Sequence, residues 1–250
     1  MRDFDESTLW RVSQFDRVRD LTGESGFASL HGSSVLPETL LGELKRLEQS
    51  GRGSDVLEVI TACLRQREAA LLCLQHEALV WPVTVFPKQM MYHSPRDLAL
   101  AQGAGFMHFS LHSIEPPGVR PLSDRLYERE TQPAHYRPLL PLLWSLALNG
   151  PRGELLGEIA GTMAYRALKS PQEDGLSLSG ALGSAAERLR RDTVSLSTIA
   201  HWPGMNVERG SRLLNAMYLA SALLVTRTHP AARPSPHSTR GLRDFFKALR

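Results

Sequence analysis

The stretch SLSTIAHWPGMNVERGSRLLNAMYLASALLVTRT, residues 195–228, constrains the fold of this chain more than any other part of it. It joins a short capped segment, a Pro-Gly turn, a long amphipathic run and a β-branched tail. Ser195 or Ser197 can cap a first helix, LSTIAHW, which stops at Pro203 and Gly204, with Met205 as the buried turn residue. Asn206 can cap a second helix, because its side-chain oxygen suits the free N–H groups of a first helical turn. The spacing of Val207, Leu213, Leu214 and Met217, joined by Tyr218, predicts one inner face. Glu208, Arg209, Ser211, Arg212 and Asn215 are expected outside it. LLVTRT reads as a strand, and the preceding AAERLRRD as a third helix. Trp202, Leu213, Leu214 and Met217 are expected to be buried together.

These residues resemble a winged helix-turn-helix domain, over about residues 181–229. The elements that carry the resemblance are Ile199 and Ala200, the turn Pro203-Gly204-Met205, Leu213 and Leu214, and then Leu223, Leu224 and Val225. The resemblance implies DNA binding, with the second helix in the major groove and its N-terminal residues at base edges. Carried over, the base readers are Asn206, Arg209 and Arg212, with Ser211 and Asn215 beside them, since Arg and Asn pair bidentately with guanine and adenine. Arg188, Arg190, Arg191 and Arg227 would contact phosphates. The chain departs from the pattern in three places. Ala222 stands where a glycine usually precedes the wing strand. HPAARPSPHS supplies no second wing strand after Thr228. Glu208 sits where it would repel phosphate.

Upstream, the pattern changes. A short helix is expected around residues 9–21. Pro37 can open a helix over LPETLLGELKRLEQS, and Asp55 is a good N-cap for DVLEVITACLRQRE. AALLCLQHEALVWPVTVFP carries two apolar runs that suit strands, with Pro82 pointing to an edge or a bulge. KQMMYHS extends the sheet, and PRDLALAQ reads as a helix. FMHFSLHSI alternates with Met107, Phe109 and Leu111 on one face and His108, Ser110 and His112 on the other. Residues 115–138 hold five of the 16 prolines and read as an irregular connection. After them LLPLLWSLALNG is strongly apolar, RGELLGEIAGTMAYRALKS continues a helical pattern, and LSGALGSAAERLRRD is helical again.

With 250 residues and 42% hydrophobic content, the chain can bury one large core or two modest ones. No apolar run approaches the roughly 20 residues of a membrane helix, and MRDFDESTLW lacks an apolar signal core. The expectation is a cytoplasmic, bacterial-type protein. Charge is unevenly placed: residues 181–250 hold 11 Lys and Arg against 4 Asp and Glu, whereas the preceding 180 hold 18 against 22. That asymmetry suits an anion-facing end or a basic solvated tail.

The other motifs carry little chemistry. Cys63 and Cys73 lie among apolar residues and read as buried reduced thiols. No CxxC or other metal spacing occurs. GPRGELLGEIAG lacks the Lys-Ser/Thr of a P-loop, so Gly157 and Gly161 are expected to serve close helix packing. His108 and His112 lie ~13 Å apart on a strand, too far for one ion. They, His76 and His93 read as solvated strand-face histidines. No GxSxG elbow, catalytic arrangement or cofactor motif is present. GLRDFFKALR offers Leu242, Phe245, Phe246 and Leu249 on one helical face, a docking surface for a partner.

The expected fold class is therefore α+β: N-terminal helices with a small, mostly antiparallel sheet (residues 1–118), a linker (119–137), then a helical domain (138–229) ending in a winged-helix-like module (181–229). A flexible basic tail with a short amphipathic helix (230–250) follows. The expected function is non-catalytic regulation with DNA as the partner of the module. The alternative is an adaptor that binds a protein through the same module and the tail helix. An enzyme with an unrecognised site is a third reading.

Overall fold

Leu40, Leu44 and Leu47 recur every three or four residues and are all buried, which makes α2 (Glu38–Gln49) a one-faced helix opening at Pro37. The computed structural model describes residues 9–22, 35–95, 98, 109–119, 121 and 133–232 of the chain. Over them it is a mixed helix-and-sheet protein in two units, dividing between Arg152 and Gly153.

The first unit begins with β1 (Trp10–Arg11) and α1 (Val12–Thr22), followed by α2 and α3 (Val56–Gln66). Asp55 caps α3 as expected, its carboxylate accepting from the N–H groups of Leu57 (3.0 Å) and Glu58 (3.2 Å). The sheet contains β2 (Ala70–His76), β3 (Leu79–Phe86), β4 (Met91–His93), β5 (Phe109–Glu115) and β6 (Tyr136–Pro138) in the order β5-β2-β3-β4-β6, with β1 beside β3 and every pair antiparallel. β2 and β3 read as near-continuous apolar runs because both faces are covered. Phe15 of α1 packs with Leu71, Cys73 and Val80 on one face, and Leu72, Leu74, Val83 and Val85, also buried, point to the other. Pro82 stands in a central strand, yet the expected edge exists locally. β1 covers Leu79 and Val80 and β4 covers Thr84 to Phe86, so among the described residues β3 has no second neighbour at Pro82. Most of PRDLALAQ lies outside the described residues.

The chain divides later than the expected linker. Tyr136 pairs with His93 and Pro138 with Met91, so β6 returns to the sheet and α4 (Leu139–Asn149) belongs to the first unit. Arg152 closes that unit. Its guanidinium bonds the Asp55 carboxylate and lies 2.9 Å from Glu58 Oε1, which Arg52 also reaches at 2.9 Å. Glu58 and Arg152 are both buried, so the acid is neutralised where water is scarce.

The second unit corrects one reading of the sequence. Residues 153–168 are not helical: they form turns and then β7 (Ala164–Ala167). Leu155, Leu156, Ile159 and Met163 imitate helical spacing, but Pro151, Gly153, Gly157 and Gly161 disfavour the helix, each glycine by about 1 kcal/mol relative to alanine. Gly161 has φ +98° and open space around the position of a Cβ, so it serves a turn and not helix packing. Next come α5 (Gly180–Arg191), α6 (Leu196–Ala200), α7 (Val207–Leu219) and β8 (Leu223–Thr226).

Candidate functional site

The second unit assembles α5, α6 and α7 over a small sheet. Ser195 caps α6 by accepting from Thr198 N–H, and Asn206 caps α7, Oδ1 accepting from Arg209 N–H at 2.7 Å. Gly204 makes the turn between them with φ +72°, a left-handed conformation that favours glycine. At Gly210 a Cβ would stand 2.8 Å from Leu196 and 3.3 Å from Ile199, so the glycine lets α6 cross α7 closely. Trp202, Leu213, Leu214 and Met217 are buried, as expected, and the Arg188 guanidinium lies 4.7 Å from the Trp202 ring centroid.

β7 pairs antiparallel with β8, from Ala164 opposite Thr226 to Ala167 opposite Leu223, and Tyr165 exchanges two backbone hydrogen bonds with Val194. β8 thus gains the partner that the sequence after Thr228 does not supply. Ser221, not a glycine, takes the left-handed turn after α7, with φ 52°.

The outward face expected on α7 is corrected for three residues. Ser211 (1% exposed), Arg212 (8%) and Asn215 (0%) are buried. Residues 153–159 run alongside the helix and are hydrogen-bonded to Asn215 and Tyr218. The Asn215 carboxamide accepts from Leu156 N–H (2.9 Å) and donates to the Glu154 carbonyl (2.8 Å). The Tyr218 hydroxyl donates to the Glu158 carboxylate, and Arg212 Nε donates to Glu208 Oε1 at 3.0 Å. The covering segment is itself anchored, because Leu156 and Ile159 are fully buried and the Tyr165 hydroxyl donates to the Ile159 carbonyl (2.6 Å). What α7 presents to solvent is its first turn: Asn206, Val207, Glu208 and Arg209. Arg209 is turned back, donating to the Gly204 carbonyl at 2.6 Å.

Arg188, Arg190 and Arg191 lie exposed in the last turn of α5, where cations suit the helix dipole, and Arg227 is exposed after β8. Arg190 pairs with Glu187 at 3.3 Å. Two large apolar side chains, Leu168 and Leu224, are exposed on the sheet. The helical spacing of residues 152–169 conceals Leu168 as a surface residue. Leu242, Phe245, Phe246 and Leu249 lie outside the described residues, as does His108.

Three histidines read as solvated are placed differently. His76 is buried, 5.2 Å from the Phe109 ring. His93 stacks edge-on against His135 and Tyr136, and burial, aided by the nearby His135 and Arg137, pushes its pKa down to about 4. A bulge between Cys73 and Leu74 re-aims His112 toward α1, where Nε2 lies 2.7 Å from Asp16 Oδ1. Cys73 lies opposite Ser113, next to that histidine, but burial pushes its thiol up to about 12, and that of Cys63 likewise. A nucleophilic cysteine needs the reverse shift. Among the described residues no group of three or more His, Cys, Asp and Glu is placed to hold a metal, and no helix is long and apolar enough to cross a membrane. Comparison with family models, with curated proteins and with solved structures returned no match.

Proposed function

We propose that this chain is a non-catalytic regulatory adaptor whose second unit is a winged-helix-like module that docks a protein. One observation carries the reading: Ser211, Arg212 and Asn215 are buried on the side of α7 that a DNA-reading helix would leave open, and Asn215 is hydrogen-bonded to the segment that runs beside it. A base-reading side chain must reach hydrogen-bonding groups in a groove. Asn215 has both ends of its carboxamide engaged within the module, and Arg212 is tied to Glu208. The buried Leu156 and Ile159 argue that the cover is part of the core and not a removable lid.

A second reading, DNA binding, keeps support from Arg188, Arg190, Arg191 and Arg227, which are exposed toward any phosphate, and from the exposed first turn of α7. Titration of a fluorescent random-sequence duplex with the full chain separates the two. The adaptor reading expects no binding tighter than ~10⁻⁴ M at physiological salt, outside the usual range of non-specific affinity. Binding near 10⁻⁶ M, with a log–log salt slope that flattens by up to ~3 in the Arg188→Ala, Arg190→Ala, Arg191→Ala triple variant, establishes the DNA reading instead.

A further inference from the structure

The β7–β8 sheet buries one face and, beyond the buried Ala164, exposes Arg166 and Leu224 on the other. Tyr165, Ala167 and Leu223 point inward and are buried. Arg166 and Leu224, directly opposite one another, point outward, and Leu168 continues that face two residues beyond Arg166, held by its N–H to the Ala222 carbonyl at 2.8 Å. Leu168 is 61% exposed and Leu224 45%. Directly opposed residues bring their Cβ atoms to ~5 Å, and the diagonal neighbour lies within reach of a long side chain. Two leucines therefore flank one guanidinium. Residues 164–168 and 222–228 contain Arg166 and Arg227 and no Asp or Glu, and among the described residues neither arginine has an ion-pair partner. The nearest carboxylates after β7 are both engaged: Glu173 accepts from the Ser170 N–H at 2.9 Å and Asp174 pairs with Lys169 at 2.6 Å.

An apolar pair around an uncompensated cation calls for a complement of opposite sign. We infer that this face is the docking surface of the module, and that its occupant is a peptide segment of a partner protein carrying a carboxylate between apolar side chains. The inference rests on the protein-docking reading and names its surface and partner chemistry. The carboxylate meets Arg166, which can bind it bidentately. The apolar side chains cover Leu168 and Leu224, removing them from water. Like charge on the partner is rejected by Arg166, so the arginine sets selectivity while the leucines supply contact area.

The test uses the full chain, panned against a phage-displayed library of random 12-residue peptides. The enriched peptides are then synthesised and titrated by fluorescence anisotropy. The inference expects an Asp or Glu flanked by Leu, Ile or Phe in the enriched set. It expects at least a tenfold loss of affinity in the Leu168→Ser, Leu224→Ser double variant, whose thermal midpoint should stay unchanged because both side chains are exposed. Arg166→Glu should weaken the same peptides and, on renewed panning, enrich Lys and Arg in their place. Peptides that bind the double variant as well as the wild type overturn this surface and leave the docking reading standing. No enriched peptide, together with salt-dependent duplex binding, overturns both. Two other occupants are also distinguished, and either overturns the partner named here. A wild-type dimer that the double variant dissolves makes it a second copy. Tighter peptide binding in the Phe245→Asp, Phe246→Asp variant makes it the chain's own tail.

Discussion

Replacing Asn215 by alanine separates a structural carboxamide from a base-reading one. Asn215 is fully buried, and its carboxamide satisfies two backbone groups of the covering segment, the Leu156 N–H at 2.9 Å and the Glu154 carbonyl at 2.8 Å. Alanine leaves both facing a small void. A buried donor or acceptor without a partner costs about 1–3 kcal/mol, so the pair sets an expected loss of ~2–5 kcal/mol for the second unit. An exposed asparagine waiting for adenine would change stability by no more than ~0.5 kcal/mol. Amide hydrogen exchange of the slowest α7 amides reads the difference in this unit alone. At one decade per ~1.4 kcal/mol, protection should fall by ~30-fold to several thousandfold. A change below about threefold refutes the argument, because the carboxamide would then have had water as its alternative partner.

Other outcomes follow from the first unit. Arg152→Met should destabilise it by ~3–5 kcal/mol in urea unfolding, because the buried Glu58 carboxylate loses a guanidinium 2.9 Å away; a loss below 1 kcal/mol would mean that water replaces the lost guanidinium. Cys63 and Cys73 should resist iodoacetamide at pH 8 in the folded chain and react after denaturation, since burial holds both thiols near a pKa of about 12; rapid native alkylation of either contradicts this. His93 is held neutral, with a pKa of about 4 in the folded state against 6.5 when unfolded. Its contribution is therefore complete above pH ~6.5 and is lost as pH falls toward 4, because the unfolded chain takes up the proton first. Allowing for partial solvation, that loss is ~1–3 kcal/mol, and the difference between wild type and His93→Gln across that window measures it; parallel curves count against it.

The parts of the fold that were legible in the sequence are those whose determinants are local. Asp55, Ser195 and Asn206 announce their helices because a cap acts within three residues. Leu213, Leu214 and Met217 mark the inner side of α7 because the helical period is a local property too. What periodicity reports, however, is one buried side. The second side of α7 is buried by residues some 60 positions upstream, and it is polar: Asn215 answers backbone groups of Glu154 and Leu156, which leave no apolar stripe to read. The same segment hid β7, since Leu155, Leu156, Ile159 and Met163 mimic a helical stripe while the pairing that makes a strand of Ala164 to Ala167 comes from β8. His112 looked like a strand-face residue until the bulge opposite Cys73 and Leu74 turned it toward Asp16. In each case a contact distant in sequence overrode a local pattern.

The central claim is that α7 beyond its first turn is closed to a nucleic-acid groove and that the docking surface lies on the sheet. Hydroxyl-radical footprinting of the full chain, alone and with a saturating excess of random 20-base-pair duplex at low salt, tests both halves in one measurement. The account expects rapid labelling of Leu168, Val207 and Leu224, none at Leu213, Leu214 or Met217, and the same pattern with and without DNA. Labelling of Met217 in the free protein, or loss of labelling at Val207 when the duplex is added, contradicts it.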